Sequence, residues 1–183
     1  QFDEATLKQD VDKLRELILS IEKDLDDKDI FFKAQMYYSL ATATDTVSRL
    51  SDNDVEKRKD SIKKQLYYYR ESLKIIKTEE FNVPKYMAHT RFLQACLLTN
   101  YGNTLRECGR VISAIEQYND ALGYYPFFPM AMGNLGCCYM QYAYLLGYNQ
   151  EFYRDCLNRH SYLLLNDALE SKDPNIYIEG KAY

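Results

Sequence analysis

A pattern of residues that recurs about 34 positions apart in the second half of the chain constrains the fold most. Each copy has a large apolar residue, then a large residue followed directly by glycine, then another large residue at a fixed offset. The two copies are Leu98, Tyr101, Gly102 and Leu105, and Met132, Leu135, Gly136 and Tyr139. Because glycine has no side chain, a neighbouring helix can approach closely there. The pattern therefore predicts helical hairpins that stack on one another.

The residues after the first copy predict a second helix and the end of a repeat. Gly109 suits the turn between two helices, and Ala114 and Ala121 are small where this second helix would cross its neighbours. Tyr118 stands between them, and Pro126 ends the repeat because proline cannot continue a helix. This combination resembles the tetratricopeptide repeat (TPR), an arrangement of helical hairpins.

The resemblance and the helical spacing of apolar residues predict an all-α protein. We expect a right-handed α-solenoid of about seven to eight antiparallel helices in a single domain over residues 1–183. The expected parts are an N-terminal helix over 1–28, a degenerate repeat over 34–77, a clear repeat over 95–128, a repeat with an insertion over 129–171, and the start of a further helix over 173–183. All prolines and glycines follow residue 83, which favours long helices before it.

The segment from Gln94 to Asn134 also resembles the N-terminal TPR region of a bacterial family whose members carry a C-terminal HEPN domain. The phrases QACLLTNYGNTLRECGRVISAIEQYNDAL and MAMGNLGCCYMQYA carry this resemblance. HEPN domains are often linked to RNA cleavage and to toxin–antitoxin or phage-defence systems. The resemblance implies that the chain is the sensing or docking part of a larger bacterial effector.

A TPR array implies a peptide-binding groove, because the first helices of its repeats line a concave face. Asn103 and Asn134 match positions at which peptide-binding TPR proteins hold a peptide backbone with asparagine. The same faces should carry Thr99, Arg106, Met130, Cys137 and Gln141, with Cys96 and Met140 beside them. Arg106 could pair with an acidic group of the ligand, whereas Thr99 stands where the chaperone-tail type of TPR has a lysine. We therefore predict that the chain binds a protein or peptide segment and is not an enzyme.

One alternative is catalytic. HEPN ribonucleases resemble each other in an arginine, a polar residue, four residues and a histidine, and Arg154, Asp155 and His160 have that spacing. In such sites the histidine and the arginine act on the ribose 2'-hydroxyl and the phosphate. The same spacing also arises by chance, and it falls where the second helix of a TPR repeat is expected.

A further alternative is a homo-oligomer. In this reading the chain is a TPR dimerisation unit, and the aromatic side chains of Phe127 and Phe128 pair with those of a second copy.

The composition bears on partners and location. The net charge of -4 argues against a nucleic-acid surface, because domains that bind phosphate are usually basic. The basic run from Lys57 to Lys64 is interrupted by Asp60, and we interpret it as a solvated helix face.

No apolar run approaches the ~18 residues that a membrane span needs, so no membrane partner is expected. Five cysteines without a CxxC pair favour buried thiols in a reducing cytoplasm, and no metal or cofactor is expected.

Overall fold

The computed structural model describes residues 10–25, 29–51, 54–78 and 87–171. All regular structure in these ranges is helical, which confirms the predicted all-α class. The elements are α1 (Val11–Asp24), α2 (Ile30–Ser51), α3 (Val55–Ile76), α4 (Met87–Glu107), α5 (Val111–Tyr124), α6 (Pro129–Leu145), a short 3-10 helix (Tyr148–Gln150) and α7 (Glu151–Glu170). None of the described helices is both long and apolar enough to span a bilayer.

Aspartates explain where three of these helices begin. Asp10, Asp29 and Asp54 each accept a hydrogen bond from a backbone N–H two or three residues later, at 2.8 to 3.1 Å. These bonds satisfy N–H groups of the first turn that have no partner within the helix. Pro129 begins α6, where its missing N–H costs nothing.

The chain divides into two compact units. They are an N-terminal unit (Gln1–Leu93) and a C-terminal unit (Gln94–Tyr183), and α4 contributes residues to both. The single domain over 1–183 stays a prediction. Within the N-terminal helix predicted over 1–28, α1 is described, whereas residues 1–9 lie outside the described ranges. The helix predicted over 173–183 lies outside them as well.

In the N-terminal unit, α2 packs against α3 and α1 packs against α2. The wholly buried side chains of Leu14 and Leu40 lie in its core, with Ile76 almost completely buried. Ser72 on α3 is buried too, and its hydroxyl donates to the backbone carbonyl of Ala34 on α2 at 2.9 Å. A satisfied polar group therefore joins α2 to α3 within the core of this unit.

Tyr68 joins α3 to α1. Its hydroxyl donates to the carboxylate of Glu22 on α1, and its ring lies beside those of Tyr37 and Tyr67. Burial raises the pKa of Tyr68 above its ordinary value, and the neighbouring Glu22 raises it further. The phenol therefore remains protonated, and can still donate to Glu22, at alkaline pH values at which an ordinary tyrosine begins to ionise.

In the C-terminal unit, two glycines allow helices to approach closely. A Cβ atom at Gly102 on α4 would lie 2.6 Å from Cε1 of Tyr118 on α5. A Cβ atom at Gly136 on α6 would lie 3.0 Å from Cγ of Leu165 on α7. Both distances are shorter than the ~3.5–4.0 Å of ordinary carbon contact, so a larger residue would displace its neighbour. In the turn after α4, Gly109 has φ +76°, which glycine adopts without steric cost.

An insertion is expected in the repeat over 129–171, and some of its residues lengthen α6. α6 continues to Leu145, a 3-10 turn follows at Tyr148–Gln150, and α7 begins at Glu151. α7 then packs along α6, which in turn packs against α5.

Candidate peptide-binding surface

The predicted peptide-binding residues lie on two helices of the C-terminal unit. On each helix they are three or four residues apart, so they share one face. We call them the α4 stripe and the α6 stripe. The α4 stripe is Thr99, Asn103 and Arg106, and the α6 stripe is Met130, Asn134, Cys137 and Gln141.

Most of the α6 stripe reaches the surface. Met130 is 46% exposed, Gln141 is exposed, and Cys137 is half-buried. Met140, which was expected beside the stripe, is also exposed. The stripe thus presents a thioether, a thiol and an amide to solvent. Methionine side chains are flexible and polarizable, so they fit partners of different shapes.

Asn134 differs from the other members of the α6 stripe. It is only 5% exposed, and its amide makes no hydrogen bond to any residue that the structure describes. Among the described residues, the Ser161 hydroxyl is the one completely buried side-chain polar group that lacks a partner, so the polar atoms of the Asn134 amide still reach solvent. An amide that donates and accepts at the same time is suited to a peptide group.

The α4 stripe is only partly available. Thr99 is wholly buried, and its hydroxyl donates to the carbonyl of Ala95 at 2.7 Å. A buried side chain has no surface to offer a ligand, so Thr99 does not belong to the candidate surface. Asn103 is half-buried, and its Oδ1 accepts a hydrogen bond from the hydroxyl of Tyr118 at 2.8 Å. That bond engages the side-chain oxygen of Asn103 within the protein. The Nδ2 donors of Asn103 have no acceptor among the described side chains and carbonyls.

Arg106 brings a positive charge from α4 to α6. Burial raises the pKa of the Cys138 thiol to about 11, and the positive charge of the nearby Arg106 guanidinium partly offsets the rise. Cys138 lies one helical turn after Asn134. No carboxylate in the described ranges forms an ion pair with Arg106. A cation without an ion-pair partner among the described carboxylates therefore lies near the amide of Asn134.

The cysteines of this unit are free thiols. Cys96, expected beside the α4 stripe, is half-buried, and burial raises its pKa to about 11. Over the residues with described positions, no three His, Cys, Asp or Glu side chains lie close enough to hold a metal ion.

Arg154 and His160 both lie on α7. Arg154 is half-buried and pairs with Glu151 at 3.9 Å, whereas His160 is exposed and its ring lies 6.2 Å from that of Tyr139. Six residues along a helix correspond to about 9 Å of rise and about 120° of rotation between the two side chains. The two groups therefore diverge, and nothing in the geometry of α7 brings them to one reacting atom.

Phe127 and Phe128 have opposite environments. Phe127 is 76% exposed, whereas Phe128 is 1% exposed and its ring contacts that of Tyr125 at 5.9 Å. Phe128 is thus a core residue and cannot pair with a second copy. Phe127 has φ +65°, in the left-handed region that a bulky side chain rarely adopts. The sequence contains no signal for that conformation.

Sequence reasoning missed a run of exposed aromatic side chains between the end of α6 and the start of α7. Its members are Tyr144, Tyr148, Phe152 and Tyr153, each more than half exposed. Aromatic residues within helical stretches often pack in the core, so their sequence positions alone do not indicate this exposure. The four-residue steps from Tyr144 to Phe152 were the one available signal of a shared surface.

No protein-family model matches the sequence, and a search of curated proteins finds no significant match. The TPR and HEPN resemblances therefore stay predictions, and the case for a function depends on the chain's own residues.

Proposed function

We propose that the C-terminal unit is a TPR-type module of a right-handed α-solenoid, which binds a peptide segment against α4 and α6. The close approaches at Gly102 and Gly136 support nested helical hairpins, because each glycine occupies the same place in its copy of the repeat. The surface that we assign to the ligand consists of the α6 stripe together with Asn103 and Arg106.

The amide of Asn134, which makes no hydrogen bond to a described residue and still reaches solvent, is the observation that carries this proposal. A peptide bond offers both an acceptor and a donor that this amide can engage in place of water. Arg106 adds a cation that can pair with a carboxylate of the same ligand. Met130 and Cys137 add apolar contact area that fits side chains of different shapes.

The resemblance to TPR–HEPN proteins extends the proposal. In that setting the module would be the sensing or docking part of a larger bacterial effector and would act in the cytoplasm.

The test uses short random peptides displayed on phage and selected on the purified chain. Peptides enriched by the wild-type chain are then synthesised and titrated against Asn134→Ala by fluorescence anisotropy. We expect at least roughly tenfold weaker binding, because one lost hydrogen bond in a buried site is worth about 1.4 kcal/mol or more. Asn158→Ala is the matched control, since Asn158 is exposed on α7, and it should bind as the wild type does.

Loss of folding can be separated from loss of binding. Alanine at 134 removes an amide that makes no hydrogen bond to a described residue, so the helices should remain intact, and circular dichroism at 222 nm checks this. Enriched peptides that bind Asn134→Ala as tightly as the wild type would contradict the proposal, and so would a selection in which no peptide is enriched.

A further inference from the structure

The N-terminal unit contains a groove of about 410 Å³ where α1, α2 and α3 meet. Its volume lies within the range of about 300–1,000 Å³ that ligand pockets usually have. The residues from α1 include Arg15 and Leu19, and those from α3 include Lys57 and Lys64. Steps of four and seven residues place each pair on one face of its helix, so two continuous faces form the walls.

The floor of the groove is apolar. Ile18 is almost completely buried, Val47 of α2 is half-buried, and Leu19 at the edge is 59% exposed. When an apolar side chain of a ligand enters the groove, the exposed surface of Leu19 and the apolar floor lose contact with water. Burial of such surface contributes roughly 25 cal/mol per Å².

The mouth of the groove is positively charged. Lys57 and Lys64 form no ion pair with any carboxylate in the described part of the chain. Asp60, between them, already pairs with Lys63 at 2.8 Å. This pair lowers the pKa of the Asp60 carboxyl, which therefore stays ionised at neutral pH, and the charge of Lys63 balances it, so Lys57, Lys64 and Arg15 give the groove a net positive charge.

Arg15 adds a third cation from the opposite wall. Its guanidinium donates to the hydroxyl of Ser51 at 2.9 Å, which holds it beside the groove. Its ion pair with Asp12 is 3.6 Å long and exposed, so water screens it. Three cations thus surround an apolar floor in a chain whose net charge is -4.

The spacing of these cations selects the kind of ligand. Lys57 and Lys64 are seven residues apart on α3, which separates them by about 10 Å along the helix axis. One carboxylate or phosphate cannot contact both. Two acidic residues three apart in an extended peptide, or two turns apart on a helix, span that distance.

We propose that this groove is a second binding site, which takes an acidic peptide segment with an apolar anchor. The anchor occupies the floor between Ile18 and Val47, and carboxylates on either side of it pair with Lys57 and Lys64. This site is separate from the surface around Asn134, because the two lie in different units of the chain.

Methyl NMR of the intact chain tests the proposal with two blocked synthetic peptides. One has leucine and phenylalanine at its centre and glutamates on both sides, and its twin has glutamine in place of every glutamate. We expect the acidic peptide to shift the methyl signals of Leu19 and Val47, with the shifts weakening as salt is added. The glutamine twin should bind roughly tenfold more weakly or not at all.

Charge reversal on α3 supplies matched variants. Lys57→Glu and Lys64→Glu should each weaken binding of the acidic peptide by roughly tenfold or more. Arg58→Glu makes the same change of charge at an exposed neighbouring position that does not line the groove, and it should retain binding within about twofold. All three positions are exposed, and circular dichroism of each variant checks that the helices are intact.

Three results would overturn the second site. The first is an equal loss of affinity in Arg58→Glu and Lys57→Glu, and the second is equal binding of the glutamine twin. The third is peptide-induced shifts that disappear in Asn134→Ala, because the acidic peptide would then occupy the C-terminal unit. Retained shifts in Asn134→Ala support the second site whether or not the first proposal holds.

Discussion

Replacing Gly102 with alanine should destabilise the C-terminal unit, because the new methyl group would meet a side chain that has no room to move. The Cβ atom would lie 2.6 Å from Cε1 of Tyr118 and 3.0 Å from its Cδ1 and Cζ. Tyr118 is wholly buried, and its hydroxyl is hydrogen-bonded to Asn103 at 2.8 Å. The ring must therefore shift within a packed core and stretch or break that bond.

The magnitude follows from three contributions. Overpacking a core costs about 1–3 kcal/mol, and loss of the bond between Tyr118 and Asn103 costs about 1 kcal/mol. Alanine is more favourable than glycine within a helix by about 1 kcal/mol, which offsets part of this. We expect Gly102→Ala to lower the free energy of unfolding by about 1–3 kcal/mol.

Urea denaturation followed by circular dichroism at 222 nm measures this change. Gly133→Ala is the matched control, because Gly133 is also inside a helix and its added Cβ would lie 3.9 Å from Cβ of Ala168. That is ordinary contact, so the control should be more stable than the wild type by about 0.5–1 kcal/mol.

A double-mutant cycle isolates the steric cause. In the background of Tyr118→Leu, which lacks the ring, Gly102→Ala should cost at least about 1 kcal/mol less than it does in the wild type. The reasoning fails if Gly102→Ala is as stable as Gly133→Ala, or if its cost is the same with and without the ring.

Two further predictions concern Phe127 and the cysteines. Phe127→Gly should be more stable than Phe127→Ala by about 1 kcal/mol in urea denaturation. Both substitutions remove the ring, but only glycine adopts φ +65° without strain. Equal stabilities would argue against strain at this position. At pH 8, iodoacetamide should modify the exposed Cys156 well before Cys96 and Cys138, as measured by peptide mass spectrometry. Their pKa of about 11 leaves roughly one thiolate per thousand at that pH, and their modification should accelerate as the pH rises towards 11. Labelling of Cys138 at the rate of Cys156 would contradict this.

The helices themselves could be predicted from the sequence in some detail. Asp29 and Asp54, which belong to a residue type that caps helices, directly precede α2 and α3 and accept hydrogen bonds from their first turns. Helix ends depend on residues a few positions apart, so the signals that set them are contiguous in the chain. The placement of Asn134 on one face of α6 with Met130 and Cys137 follows from helical period in the same way.

The environment of each candidate side chain could not be predicted with the same success. Thr99 and Asn103 share a face of α4, yet Thr99 is buried and the Asn103 carbonyl is occupied by Tyr118. Periodicity states which residues share a face but not how deeply a neighbouring helix covers it. Lys57 and Lys64 were assigned to a solvated face for the same reason, because the groove beside them also needs Arg15 from α1.

The sequence by itself determined the all-α class, the starts of several helices, and the small residues at which helices can approach. It did so because helix formation and capping depend on neighbours within about one turn. Only the tertiary structure decided that Asn134 makes no hydrogen bond to a described residue, that the charge of Arg106 lies near Cys138, and that Phe127 is exposed in a strained conformation. These properties arise from contacts between helices that are distant in the chain, and no local pattern encodes them.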